Sequence, residues 1–131
     1  MRNKLVIIGL DGATWSVLDH LIALGKVPHI AQLVAQGTRF SLRSVTNQNS
    51  AAAWTSFATG VNPGKHGIYY FSEPILGTYQ RRYLKGSDRA VSTFWQIASE
   101  ANKRVCVINV PMSFPSDPVS TNFPTASSKC L

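Results

Sequence analysis

The chain has 131 residues, 44% of them hydrophobic and 15% charged, which describes one domain's worth of globular rather than disordered polypeptide. Lys and Arg outnumber Asp and Glu by 13 to 6, but the basic residues are scattered and carry no helix-turn-helix, zinc-finger or aromatic RNA-binding pattern, so no nucleic-acid partner is expected. No stretch approaches the ~20 apolar residues of a membrane span, the apolar run near the N-terminus is too short for a signal peptide, and the expected location is cytoplasmic.

Leu5 to Leu10 is a short apolar run rich in β-branched residues and closed by Gly9 and Gly12, the pattern of a strand buried on both faces of a parallel sheet. Asp11 then falls at the carboxyl end of strand one, the edge where open α/β sheets bind ligands. Its carboxylate is open to three readings: a turn or helix cap, a metal ligand, or a base. Gly9-Leu10-Asp11-Gly12 is not a dinucleotide fingerprint, because it lacks the third glycine and sets an acid where a pyrophosphate would be repelled.

Thr14 to Leu24 carries Trp15, Leu18, Leu21 and Ile22 at helical spacing, with Gly25 as a stop and Trp15 as a packing residue. A second helix starts at Pro28, suited to a first helical turn, and runs through Ile30, Leu33 and Val34 toward Gly37. His20 and His29 have no partners at metal-ligand spacing and read as ordinary surface or edge residues. Arg39 to Val45 alternates apolar and polar residues, as a half-exposed strand does.

Thr46 to Gly60 is the stretch on which the reading turns. Ala51 to Ala58 predicts a short helix that Gly60 ends in the left-handed conformation, and Ser50 sits at its start. A serine there either caps the free backbone N–H groups, which is the commoner role, or acts as a nucleophile whose alkoxide those groups and the helix dipole stabilise. Asn62-Pro63-Gly64 is a turn, and His66 beyond it either binds an anion or, as favoured here, ties the loop to backbone. Tyr69-Tyr70-Phe71 and Thr78 to Leu84 predict short strands or an excursion around Gly77.

Val91 to Ala101 predicts a helix with Ser92 or Thr93 near its start and Asn102 as a left-handed stop. Val105 to Val110 reads as a second buried strand ended by Pro111, with Cys106 in the core. Strand, helices and strand in this order imply right-handed crossovers and an α/β fold with a parallel-sheet core and flanking helices. From Ser113 to Leu131 the prolines, serines and threonines show no periodicity and read as loop or tail. Cys106 and Cys130 fit neither a disulfide framework nor a zinc knuckle.

Five ordered motifs together resemble the alkaline phosphatase superfamily, in its type I phosphodiesterase and nucleotide pyrophosphatase branch. They are Val6 to Gly12, Val27 to Leu33 with Gly37, Ala53 to Gly60, Asn62 to Ile68, and Val105 to Pro111. The resemblance implies an alkaline-phosphatase-like domain, incomplete here, over residues 1–119, with 120–131 as an irregular tail that departs from the family. It implies that Asp11 is a metal ligand, that Ser50 is the nucleophile and also a metal ligand, that the intact enzyme uses two divalent metal ions, zinc by preference, and that its substrate is a phosphate ester. Ala53 stands where the nucleotide pyrophosphatases have an asparagine, so that transition-state contact has no counterpart. The family's other metal ligands are Asp and His residues far downstream, whereas here no histidine follows residue 88 and Asp117 is the only acid after Glu100.

The expectation is therefore the N-terminal part of a metal-dependent phosphodiesterase, catalytically inert as a lone chain and binding no metal tightly. A premature stop or a frameshift is the simplest origin. Two alternatives stand beside it, a non-catalytic anion-binding or interaction module and one half of a split enzyme. A sheet lacking later strands would leave an apolar surface that invites self-association.

Overall fold

A computed structural model describes residues 4–119. These fall into two compact units, Met1–Arg43 and Ser44–Leu131, each described by itself. Among the described residues there are five α-helices and one two-stranded antiparallel sheet, so the chain is a small α/β protein.

In the first unit, helix α1 spans Trp15–Ala23 and helix α2 spans Pro28–Gln36, with Pro28 in the first turn as its fixed φ predicts. Neither helix has a buried residue. Trp15 does not fill a core. Its indole N–H donates to the Phe40 carbonyl at 2.8 Å, and the Arg39 guanidinium lies 4.1 Å from its ring centroid. Arg39 also makes a two-pronged ion pair with Asp19, both bonds being 2.8 Å. The indole and the pair tie the segment after α2 back onto α1, a use of tryptophan's polar handle that helical spacing alone does not reveal.

The second unit is built on helix α3, Ser50–Thr59. Its N-cap is Asn49, whose side chain accepts from the Ala51 N–H at 3.0 Å. Its C-terminus is closed by Gly60 at φ +70°, where the amide donates to the Ser56 carbonyl. A side chain in that left-handed conformation would be strained, which is why the helix stops at glycine. Helix α4, Pro63–His66, follows after the Asn62 cap. Strands β1, Ser72–Pro74, and β2, Arg81–Tyr83, pair antiparallel with Ser72 opposite Tyr83 and Pro74 opposite Arg81. The short strands or excursion expected around Gly77 are thus a hairpin, but its first strand is Ser72–Pro74 rather than Tyr69 to Phe71 and its second is confined to Arg81–Tyr83 within Thr78 to Leu84.

Helix α5, Phe94–Glu100, begins at a reciprocal cap in which the Gln96 amide donates to Thr93 Oγ1 and Gln96 Oε1 accepts from the Thr93 amide. Asn102 sits at φ 56°, the left-handed stop expected from the sequence. Ala51, Ile68 and Leu84 form the buried apolar centre, with Met112 packed against them. Trp54, Phe57, Phe94 and Trp95 run edge to face across α3 and α5, with ring centroids 5.8, 5.6 and 5.1 Å apart.

Loop 112–119 is held on the start of α5 by polar contacts. Asp117 pairs with the Arg89 guanidinium and accepts the Trp95 indole N–H at 2.7 Å. Gly86, in the 3-10 turn Gly86–Asp88, donates its amide to the Phe114 carbonyl at 2.6 Å.

Leu5 to Leu10 and Val105 to Val110 depart from expectation. Neither run pairs into a ladder among the described residues, and Leu5, Val6 and Ile8 are 84%, 79% and 76% exposed. A strand of a parallel sheet is buried only when neighbours bond its edges and helices cover its faces, and no described segment supplies those neighbours. Cys106 is accordingly exposed rather than in the core, and Arg39 to Val45 is likewise no strand. The expected tail, 120–131, lies outside the described residues.

Candidate functional site

The polar run before α3 ends in two adjacent residues that both suit a helix start, and the structure divides their roles. Asn49 has extended backbone and the capping side chain, while Ser50 is the first helical residue. The capping role considered for Ser50 therefore belongs to its neighbour. The signal was present in the sequence, because asparagine ranks with serine among N-caps and stands one position earlier.

Ala51 and Ala52 are fully buried directly behind Ser50, and Thr55 bonds the Ala51 carbonyl through its hydroxyl at 2.7 Å. Small side chains let α3 sit close against Ile68 and Leu84, so the helix end that presents Ser50 is firmly seated. Ala53 is half-buried and carries no polar group.

His66 packs against the same helix and is fully buried. Its Nε2 lies 2.8 Å from Ser56 Oγ, and its Nδ1 accepts the Ile68 backbone N–H at 3.1 Å. Burial lowers its pKa from the ordinary histidine value, since the charged ring would lose solvation. The loop-tying role favoured for His66 is the one seen, with Ser56 as a partner that the sequence did not point to. Gly60 and the Asn62–Pro63 turn fold α4 back on α3, which is how residues ten apart meet.

Asp11 belongs to the first unit and Ser50 to the second. Among the described residues no group of three or more His, Cys, Asp or Glu side chains is arranged to hold a metal ion. His20 and His29 lie exposed on α1 and α2. The described residues by themselves do not fit a metal centre, and the arrangement around α3 offers a seated helix start with a serine at its first position.

The family profile of type I phosphodiesterases / nucleotide pyrophosphatases matches residues 5–129. The chain belongs to the type I phosphodiesterase / nucleotide pyrophosphatase family. This match runs past Val119, so the loss of family resemblance expected from residue 120 onward does not hold. No curated protein and no solved structure shows a significant match to the chain. Type I phosphodiesterases act on phosphate esters and are generally metal-dependent. No described helix is long and apolar enough to cross a membrane.

Proposed function

We propose that this chain is the N-terminal part of a phosphate-ester hydrolase in which Ser50 is the nucleophile and Asp11 a metal ligand. The observation that carries the reading is the position of Ser50 as the first residue of α3 with Asn49, not Ser50, acting as the cap. The positive end of a helix dipole favours negative charge at that point, both on the attacking oxygen and on a bound phosphoryl group. The bond that forms is Ser50 Oγ to phosphorus and the bond that breaks is phosphorus to the leaving alcohol, which departs with the proton the serine gives up; water then cleaves the Oγ–phosphorus bond, releasing the phosphate monoester and restoring the Ser50 hydroxyl.

In this reading the two metal ions, zinc by preference, need Asp and His ligands from polypeptide outside residues 1–131. Two carboxylate or hydroxyl ligands are fewer than the three or four that a zinc site requires. The same polypeptide would supply the strands beside Leu5 to Leu10 and Val105 to Val110, whose β-branched apolar character suits a parallel sheet.

The test is hydrolysis of bis(p-nitrophenyl) phosphate with added zinc, by the 131-residue chain and by the chain continued through the coding sequence after codon 131. Turnover is expected only from the continued chain, and Ser50→Ala and Asp11→Asn should each abolish it. Zinc-dependent turnover by the 131-residue chain that Ser50→Ala removes would overturn the need for outside ligands. Turnover in the continued chain that survives Ser50→Ala would overturn the nucleophile.

A further inference from the structure

A serine 2.8 Å from a buried histidine ring invites comparison with an activated nucleophile and its base, but the other ring nitrogen decides against it. Nδ1 accepts the Ile68 backbone N–H, so in the neutral ring the proton resides on Nε2. Nε2–H then donates to Ser56 Oγ and cannot take that hydroxyl's proton. Anion binding fails for a related reason, because the ring is fully buried and its one N–H is already spent on Ser56.

What the ring does is join two points of α3. Ser56 is held directly. Ile68, whose amide His66 accepts, packs with Ala51 in the buried centre, one residue from Ser50. At 1.5 Å rise per residue the two points are ~7.5 Å apart along the helix. A single attachment leaves a helix free to swing and to roll about its axis, while two attachments a turn or more apart fix both. The Ala90 amide in turn donates to the His66 carbonyl at 3.0 Å, which ties the backbone of α4 to the segment that leads into α5.

We propose that His66, as the neutral ring with its proton on Nε2, is a positioning residue for Ser50, holding α3 at Ser56 and, through Ile68, at Ala51. The inference rests on the reading of Ser50 as nucleophile, and it adds a residue that touches neither substrate nor metal yet sets where the serine oxygen stands.

Nitrogen-15 NMR of the histidine-labelled 131-residue chain at neutral pH reads the ring directly and needs no variant. His66 should show an unprotonated Nδ1 and a protonated Nε2, and the reverse tautomer overturns the proposal. Amide hydrogen exchange then tests the placement. Ser56→Ala should speed exchange at the Ala53 amide, which donates to the Asn49 carbonyl at the helix start, about fivefold, as loss of one ordinary hydrogen bond would. The Ile97 amide in α5 should be unaffected, and Ser56→Thr, which keeps the hydroxyl, should restore the wild-type rate. Equal acceleration at both amides would mean general loosening of the fold and overturns the proposal.

In the continued chain Ser56→Ala should lower kcat with KM unchanged, and a raised KM with kcat intact also overturns it. Turnover that persists in Ser50→Ala refutes the nucleophile and with it the catalytic meaning of this placement. A reversed tautomer or uniform exchange refutes the placement alone.

Discussion

Asp117 and Arg89, 28 positions apart in the chain, form an ion pair whose side chains are only 10% and 6% exposed. The carboxylate also takes the Trp95 indole N–H, and Arg89 Nη1 donates to the Gly86 carbonyl at 2.6 Å. Removing one partner would leave a buried charge uncompensated. Asp117→Ala should therefore lower stability by about 3–5 kcal/mol, read as the shift in the urea midpoint of tryptophan fluorescence. The double variant Arg89→Met with Asp117→Leu should recover a large part of that loss, because the desolvation cost disappears with the charges.

Gly86 sits where backbone approaches backbone. A Cβ there would lie 2.6 Å from the Met112 carbonyl oxygen and 3.1 Å from that of Phe114, and neither can step aside as a flexible side chain would. Gly86→Ala should destabilise by about 1–3 kcal/mol, measured by the same unfolding curve. A wild-type midpoint would show that loop 112–119 does not rest on the turn.

His66 gives the fold a pH dependence of known sign. Burial lowers its folded pKa below the unfolded value of about 6.5, so the unfolded chain binds the extra proton more readily. Its contribution to stability is then complete above about pH 6.5 and is lost as the pH falls from there toward the lowered folded value, at no more than about 1.4 kcal/mol per pH unit. Urea midpoints between roughly pH 7.5 and pH 5.5 should fall in the wild type and fall less in His66→Asn. Equal slopes would show that His66 does not carry the effect.

Asn49 and Ser50 can be separated by their different consequences. Asn49→Ala removes the side-chain oxygen bonded to the Ala51 amide and should cost about 0.5–2 kcal/mol in chemical unfolding. Its effect on catalysis by the continued chain should be partial, whereas Ser50→Ala should abolish turnover. Full loss of turnover in Asn49→Ala with unchanged stability would reverse the two assignments.

Local signals in the sequence carried far. Pro28, Gly60 and Asn102 mark helix ends through backbone preferences that act within a few residues, and each end lies where those preferences set it, whereas the helix expected from Val91, with Ser92 or Thr93 near its start, begins only at Phe94 with Thr93 as its cap. Gly77 marked the hairpin for the same reason. What escaped was what depends on distant partners. Leu5 to Leu10 has the composition of a buried strand, but burial needs neighbours that composition cannot supply. The Ser56 contact of His66 and the Asp117 contact of Arg89 arise only after the chain has turned back, and no spacing rule announces them. At the start of α3 the capping role of Asn49 was legible from residue type alone, because asparagine ranks with serine at that position.

The edge-to-face run of aromatic rings across α3 and α5 also makes the chain its own optical instrument. Of the three tryptophans, Trp54 and Trp95 lie within that run in the second unit, and Trp15 stands alone in the first beneath Arg39. Near-ultraviolet circular dichroism, which grows when rings couple at fixed angles, will report on the helix that carries Ser50. Single-tryptophan variants retaining Trp15 will report on the other unit, so the melting of each can be followed without any added dye.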